Sequence, residues 1–145
     1  MTCIRMRPLK ETDLEDLRKL WIESGLSFKP KGRDSKSNLR RQRKRDPQLF
    51  VGAFDGKQML GAVIASDDGR KAWINRLAVV PDARGRGIAK ALIEHCEGIL
   101  RRRGRHIFCV HVEHDNIESM RLFETRGYRR EKEIFYYTKR DSEDY

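Results

Sequence analysis

The chain has 145 residues, a length that usually forms one hydrophobic core, so we expect a single domain over residues 1–145. Its 32 Lys and Arg against 22 Asp and Glu give a formal charge of +10, which favours an anionic partner without choosing between nucleic acid, membrane and a phosphate-rich ligand. No apolar run approaches the ~18 residues of a membrane helix and no signal peptide is recognisable, which predicts a cytoplasmic protein without membrane contact. Cys3, Cys96 and Cys109 lie far apart and form no C-x-x-C pair, so neither a disulfide framework nor a metal site is indicated.

The first half of the chain predicts two helices and four strands. A capping-box spacing at Thr12 and Glu15 precedes leucines three residues apart, a pattern typical of an amphipathic helix. Asp55-Gly56 and Asp68-Gly69 supply the positive backbone angles of tight turns, so the strands around them should form an antiparallel meander. In chain order, the predicted elements are a strand at 3–7, helices at 12–24 and 35–45, and strands at 48–54, 58–66 and 72–80.

In the second half of the chain, the spacing of the apolar residues first changes from that of strands to that of a helix. Apolar residues recur at helical spacing from Ile88 and predict a helix that ends near Arg103-Gly104. The run 107–112 is typical of a buried strand, 116–126 of a further helix, and 128–138 of a final strand.

The segment most informative about chemistry is 80–90, which reads VPDARGRGIAK between a strand and a helix. A glycine-containing loop that opens a helix presents unpaired N–H groups and a positive dipole end to an anion. The dinucleotide fingerprint would need a glycine where Lys90 stands, and the P-loop pattern is absent. Neither nicotinamide binding nor ATP hydrolysis is therefore supported.

Two motifs carry a resemblance to a known family. Arg84-x-x-Gly87-x-Ala89, preceded by the strand at 77–81, resembles the acyl-coenzyme A signature of the GNAT superfamily of N-acetyltransferases. A second segment resembles the family's N-x-x-[AS]-x-x-L-Y-E-x-x-G-[FY] pattern and spans Asn116, Ser119, Leu122, Phe123, Glu124, Gly127 and Tyr128.

This resemblance implies an α/β (α+β) GNAT fold, with a mixed, mostly antiparallel sheet of about six or seven strands and about four helices. It also implies transfer of an acetyl group from acetyl-CoA to a primary amine, by direct attack and without a metal. The backbone of Leu77, Ala78 and Val79 would contact the pantetheine arm, and Asn116 the pantetheine or the amine. The pyrophosphate would be held by Gly85, Arg86, Gly87, Ile88, Ala89 and Lys90, with added charge from Arg84.

The proton carriers are less complete in this sequence than in the family. The family's usual general acid is a tyrosine at the position of Phe123, which cannot donate a proton, so Tyr128, Tyr136 or water stays open as the acid. His111 is the best candidate base, because imidazole accepts a proton at neutral pH. Its neighbours Glu113 and His114 are alternatives. In some relatives a Glu stands at the position of His111, and in others at the position of Asn75. An acyl-cysteine route through Cys109 lacks any sign of an activated thiolate.

The acceptor amine and the partners stay open. A protein N-terminus, a lysine and a small amine are all compatible, and Asp34, Asp67 and Asp68 are candidate anchors for a cationic amine. Cationic clusters at 36–45 and 101–105 are typical of a solvated surface, but they also raise a rival class, a basic nucleic-acid-binding or acyl-CoA-binding module with weak or no catalysis. Monomer and homodimer are both compatible with the sequence.

Overall fold

A computed structural model of the chain describes residues 3–145. It contains one five-stranded sheet whose strands follow each other in space in chain order. The strands are β1 (Ile4–Pro8), β2 (Phe50–Asp55), β3 (Gln58–Asp67), β4 (Ala72–Val79) and β5 (Phe108–Val110). The first four pair antiparallel, whereas β4 and β5 pair parallel. The helices are α1 (Leu14–Glu23), α2 (Lys36–Arg45), α3 (Ile88–Arg102) and α4 (Ile117–Thr125).

The predicted meander is confirmed, because its strands need only local turns. Gly56 and Gly69 both have positive φ, of 60° and 91°, at the two predicted turns. The helix predicted from Ser35 is also confirmed, since Ser35 caps α2 and its side chain accepts a hydrogen bond from Asn38 N–H. The Thr12 cap is wrong. Thr12 lies inside a short 3-10 turn at Glu11–Asp13, where the Asp13 carboxylate accepts from Lys10 N–H at 2.7 Å instead.

Three other expectations about strands need correction. The segment 128–138 is not a strand, so the described residues form five strands and not six or seven. Within residues 3–145 no backbone hydrogen bond joins 129–140 to the sheet, and a segment without a partner strand does not form a ladder. The strand predicted at 107–112 covers only Phe108–Val110, which places His111 just past its end.

Each face of the sheet packs against its own helices. Alternate residues of β2 divide between the two sides: Val51 and Ala53 pack in the core with α3, whereas Phe50 and Phe54 pack in the core with α1. Both faces of the central strands are therefore buried, and the sheet is a rigid support for its loops. No helix among residues 3–145 is long and apolar enough to cross a bilayer.

One glycine lets α3 approach the sheet closely. A Cβ placed on Gly61 of β3 would lie 3.0 Å from the Ala78 carbonyl oxygen, 3.1 Å from Ile88 and 3.2 Å from Val79. A side chain here would push these neighbours apart by a few tenths of an ångström. Gly61 thereby sets how near the first turn of α3 lies to β4.

Candidate active site

The candidate site begins at the point where β4 stops pairing with β5. The two strands pair only through residues 72–74 and 108–110. The register between β3 and β4 shifts there by one residue, because Ile64 lies opposite Arg76 and Ala65 opposite Ile74, so Asn75 is the extra residue of a bulge. The bulge lies two residues before Leu77. Beyond it, β4 has an edge that no strand of the described chain covers.

The free backbone groups on that edge are the N–H and C=O of Leu77 and the N–H of Val79, because the Val79 carbonyl accepts from Arg84 Nε at 3.3 Å. Val80 N–H donates to the Leu60 carbonyl of β3 at 2.8 Å. Alternation along the strand then turns the N–H and C=O groups of Leu77 and Val79 away from β3. The backbone of Ala78 faces β3 instead, which corrects the expectation that all three residues offer backbone groups to a ligand. An extended polar chain could bond to this edge as another strand would.

The loop that follows carries a run of unpaired amides. Gly85 and Gly87 both have positive φ, of 80° and 77°, and α3 begins at Ile88. In residues 3–145, none of the six consecutive amide N–H groups of 85–90 donates to another protein group, and the next amide, Ala91 N–H, bonds to the Gly87 carbonyl at 3.0 Å. Six donors in series at a helix N-terminus fit a diphosphate group.

Three cations border these amides. Arg84 donates through Nε to the Val79 carbonyl at 3.3 Å, and Arg86 donates to the Asp82 carbonyl at 3.4 Å. Lys90 is exposed on the first turn of α3. No carboxylate of the described residues lies within 4.0 Å of any of the three. Their charge is thus available to an anion at the loop.

The second motif places its residues on α4. Asn116 caps this helix, and its side-chain oxygen accepts from Ser119 N–H at 3.1 Å. Phe123 is buried, and its ring meets Tyr128 edge-on with centroids 5.0 Å apart. Asn116 therefore has a structural task that the sequence motif does not reveal, while its amide nitrogen is left for other contacts.

The hydroxyl of Tyr128 is already engaged inside the protein. Its hydroxyl donates to the carboxylate of Glu97 at 2.8 Å, and Glu97 is buried in α3. Burial, together with this hydrogen bond, raises the pKa of Tyr128 well above its ordinary value. Among the three candidate acids, Tyr128 is thus the least suited to protonate a thiolate, which leaves Tyr136 and water.

His111 lies in a stack of aromatic rings. The ring of Trp73, on β4, is 5.1 Å from the ring of His111, and the ring of Tyr136 is 4.3 Å away on centroids. His111 is exposed, so its nitrogens can reach solvent or substrate. Asn75 lies nearby on the bulge and donates to the Ser66 hydroxyl at 2.8 Å. Aromatic stacking of this kind orients the imidazole without taking its hydrogen-bonding groups.

Cys109 is poorly suited to form an acyl-cysteine, and the three candidate aspartates are poorly suited to anchor an amine. Burial raises the pKa of the Cys109 thiol, which opposes thiolate formation and an acyl-cysteine. Asp34 is buried and accepts from Lys29 N–H at 2.8 Å. Asp67 binds Arg105, and Asp68 accepts from the amides of its own turn, which lowers the pKa of Asp68 to about 2. All three carboxylates already bind groups of the protein itself, so they are not free to anchor an amine.

Sequence reasoning missed Arg76. Its guanidinium lies 4.4 Å from the centroid of the Trp21 ring, donates to the Ser27 carbonyl at 2.6 Å and lies 3.6 Å from the Asp34 carboxylate. Arg76 follows the bulge directly, so it ties the loop between α1 and α2 to the strand that lines the site. No local pattern around Arg76 signals this role, because its partners lie 42 to 55 positions earlier in the chain.

The sequence of the chain matches the acetyltransferase (GNAT) family over residues 14–128. An acetyltransferase of Sodalis glossinidius (strain morsitans) is 30% identical over 141 residues, which cover 97% of this chain and 98% of that protein. The chain therefore belongs to the GNAT family and is an acetyltransferase.

Solved structures share the fold. The PaiA N-acetyltransferase of Thermoplasma acidophilum, in complex with coenzyme A, has a TM-score of 0.78 at 24% identity and covers 89% of this chain and 91% of its own. The NatC complex bound to Gag peptide and CoA has a TM-score of 0.75 at 25% identity, over 89% of this chain and 86% of that one. The predicted family and fold class are confirmed.

Proposed function

We propose that this acetyltransferase binds acetyl-CoA along the open edge of β4 and transfers the acetyl group directly to a primary amine. The observation that carries the proposal is the run of six unpaired amides at 85–90 beside the free N–H groups of Leu77 and Val79. The loop suits a pyrophosphate, and the strand edge suits an amide-containing arm such as pantetheine. Two solved relatives of the same fold were determined with CoA bound, which supports this choice of donor.

In the proposed reaction the amine nitrogen attacks the thioester carbonyl while both substrates are bound. A C–N bond forms, the C–S bond breaks, and the thiolate takes up a proton. Holding both reactants together lowers the activation free energy by about 7–11 kcal/mol, because their translational and rotational entropy is already lost on binding. Positioning therefore outweighs any single proton carrier. The N–H groups of Leu77 and Val79 are the donors placed to polarise the carbonyl.

The proposed base is His111, with Tyr136 or water as the acid. A lysine of pKa about 10.4 must lose a proton at a cost of about 4.6 kcal/mol at pH 7, whereas an α-amine near 7.8 needs only about 1 kcal/mol. A base therefore matters most for a lysine acceptor. His111 suits the role because its ring is held by Trp73 and Tyr136 and its nitrogens stay accessible.

The acceptor is proposed to enter on the side of the bulge, opposite the pyrophosphate loop. Arg76 fixes the loop between α1 and α2 there, and the Lys29 ammonium donates to the Glu143 carbonyl at 2.8 Å, which brings the C-terminal segment onto the same loop. The aspartates of this region are already paired. We therefore favour an acceptor with one amine, such as a peptide N-terminus, over a polyamine that needs several free carboxylates.

Release of thiol from acetyl-CoA in the presence of candidate acceptors tests the proposal. We would compare four acceptors at equal concentration: peptides with free N-termini, the same peptides with their lysines acetylated, spermidine and an aminoglycoside. We expect acceptor-dependent release with at least one peptide and acetylation of its α-amine by mass spectrometry. Release that is equally fast without any acceptor would contradict direct transfer to an amine.

A further inference from the structure

Three side chains at the β4 bulge lie on the face of the sheet that carries α1. Arg76 is opposite Ile64, which packs in the core with α1, and Trp73 is opposite Ser66, two residues further along β3. Residues opposite each other on neighbouring strands point to the same face, as do residues two apart on one strand. Asn75, the extra residue of the bulge, donates to the Ser66 hydroxyl and so lies on this face too. The acceptor side proposed above is therefore part of the α1 face of β4.

A segment near the C-terminus begins beside the bulge on this face. We call residues 137–145 the cover. The residue before it is Tyr136, whose ring stacks on the ring of His111 with centroids 4.3 Å apart. His111 stacks in turn on Trp73, at 5.1 Å. This stack of rings holds the beginning of the cover against the α1 face of β4.

The far end of the cover rests on the loop between α1 and α2. The Lys29 ammonium donates to the Glu143 carbonyl at 2.8 Å. A Cβ placed on Gly32 would overlap the Asp144 carbonyl oxygen, so the glycine admits the backbone of the cover. Arg76 ties the same loop to β4 directly after the bulge.

The cover therefore spans the bulge. Its two ends are fixed beside Trp73, which precedes the bulge, and beside the loop bound by Arg76, which follows it. The seven steps from Tyr136 to Glu143 reach about 24 Å at most, which leaves little chain for a path around this face.

Few contacts hold the far end of the cover. Within residues 3–145, the bond between Lys29 and Glu143 is the one hydrogen bond that joins the cover to the rest of the chain, since its other hydrogen bonds are internal. Every residue of the cover is exposed. Segments with few buried contacts open at the lowest cost in free energy. The Glu143 end is thus free to detach while the ring stack keeps Tyr136 in place.

We infer that the cover is autoinhibitory: an acceptor amine reaches the α1 face of β4 only after the Glu143 end detaches and the cover turns about Tyr136. This inference rests on the proposed function, because it concerns the acceptor side of the same site. None of the contacts that hold the cover involves the loop at 85–90, so its opening should leave the affinity for acetyl-CoA unchanged. The KM for the acceptor, in contrast, rises as the open fraction falls.

Lys29→Ala and Lys31→Ala form a matched pair that tests how the cover is held. Both remove one positive charge from the same loop, but Lys31 is exposed and makes no hydrogen bond or ion pair among the described residues. Loss of the Lys29 bond should open the cover about 2- to 10-fold more often. Trypsin cleavage after Lys139 and Arg140, followed by mass spectrometry, tracks the open population. Cleavage should accelerate by that factor in Lys29→Ala and keep the wild-type rate in Lys31→Ala.

Gly32→Ala releases the cover by a second route. Gly32 has no positive φ, so alanine suits its backbone, and the added Cβ displaces the Asp144 carbonyl. The acceptor is the peptide that the thiol-release assay shows to be acetylated fastest. Its KM should fall about 2- to 10-fold in Gly32→Ala and in Lys29→Ala, with kcat and the Kd of acetyl-CoA unchanged.

The outcomes separate this inference from the proposed function. Equal cleavage of Lys29→Ala and Lys31→Ala would overturn the inference while acetylation continued. So would a KM that stays constant or rises in Lys29→Ala and Gly32→Ala, because a rise means that the cover belongs to the acceptor site. If neither the wild type nor these two variants acetylated any peptide, the proposed function would be contradicted and the inference with it.

Discussion

Replacing Gly87 with alanine tests the loop that precedes α3. Gly87 has φ 77° and ψ 14°, a left-handed conformation that costs an L-residue about 1–2 kcal/mol. A Cβ at Gly87 would meet nothing within 4 Å, so the cost is conformational and not steric. Alanine also lowers the entropy of the unfolded chain, which stabilises the folded protein by about 0.4–1 kcal/mol. The net destabilisation is then about 1 kcal/mol and lowers Tm by about 3 °C.

The effect on acetyl-CoA should exceed the effect on stability. If the alanine variant relieves its strain by leaving positive φ, the amides of Gly87 and Ile88 turn away from the anion. Each hydrogen bond to a charged group contributes about 1.5–3 kcal/mol, so losing one raises Kd by about 10- to 150-fold. Isothermal titration calorimetry with acetyl-CoA measures this change, and thermal unfolding measures the stability.

Gly98 provides the matched control in the same helix. It lies inside α3 without a positive φ, and its Cβ would be 3.5 Å from the end of the flexible Arg102 side chain. Gly98→Ala should therefore stabilise the protein by about 0.5–1 kcal/mol and leave the affinity for acetyl-CoA unchanged. If Gly87→Ala binds acetyl-CoA as tightly as Gly98→Ala does, the amides of the loop do not hold the donor.

Three further substitutions test the proton carriers and the packing of α4. Phe123→Tyr should raise the rate of acetyl transfer by restoring a hydroxyl donor, and an unchanged or lower kcat with a working acceptor would speak against an incomplete site. His111→Ala should remove the ascending limb of the pH profile of kcat/KM, so a retained limb would remove His111 from the role of base. Tyr128→Phe should destabilise the protein by about 1–3 kcal/mol at neutral pH, because the buried Glu97 carboxylate loses its donor. The raised pKa of Tyr128 means that its contribution is complete below pH 10 and is lost as pH rises beyond that value, so denaturant titrations of Tyr128→Phe should lack this alkaline loss.

Features set by local chemistry could be predicted from the sequence. Asp55-Gly56 predicted the β2–β3 turn, and glycines in a strand–loop–helix segment predicted the loop of unpaired amides at 85–90. Each depends on the conformation of a few consecutive residues. The family resemblance added that the sheet is mixed and mostly antiparallel, which local patterns alone do not fix.

Features that depend on distant partners could not be predicted. The sequence of 128–138 predicted a strand, but a strand needs a neighbour with matching backbone groups, and sequence does not show which groups are free. The Asp46–Arg103 pair and the contacts of Arg76 join residues far apart in the chain. Asn116 belongs to the family motif and also caps α4, and the motif does not reveal this second, structural role.

Titration of the wild-type protein with acetyl-CoA, followed by calorimetry, tests most directly whether the β4 edge and the loop at 85–90 form the donor site. The account predicts a complex of one acetyl-CoA per chain that is weakened in Gly87→Ala and unchanged in Gly98→Ala. No complex at about 1 mM acetyl-CoA, which corresponds to less than about 4 kcal/mol of binding free energy, would contradict it.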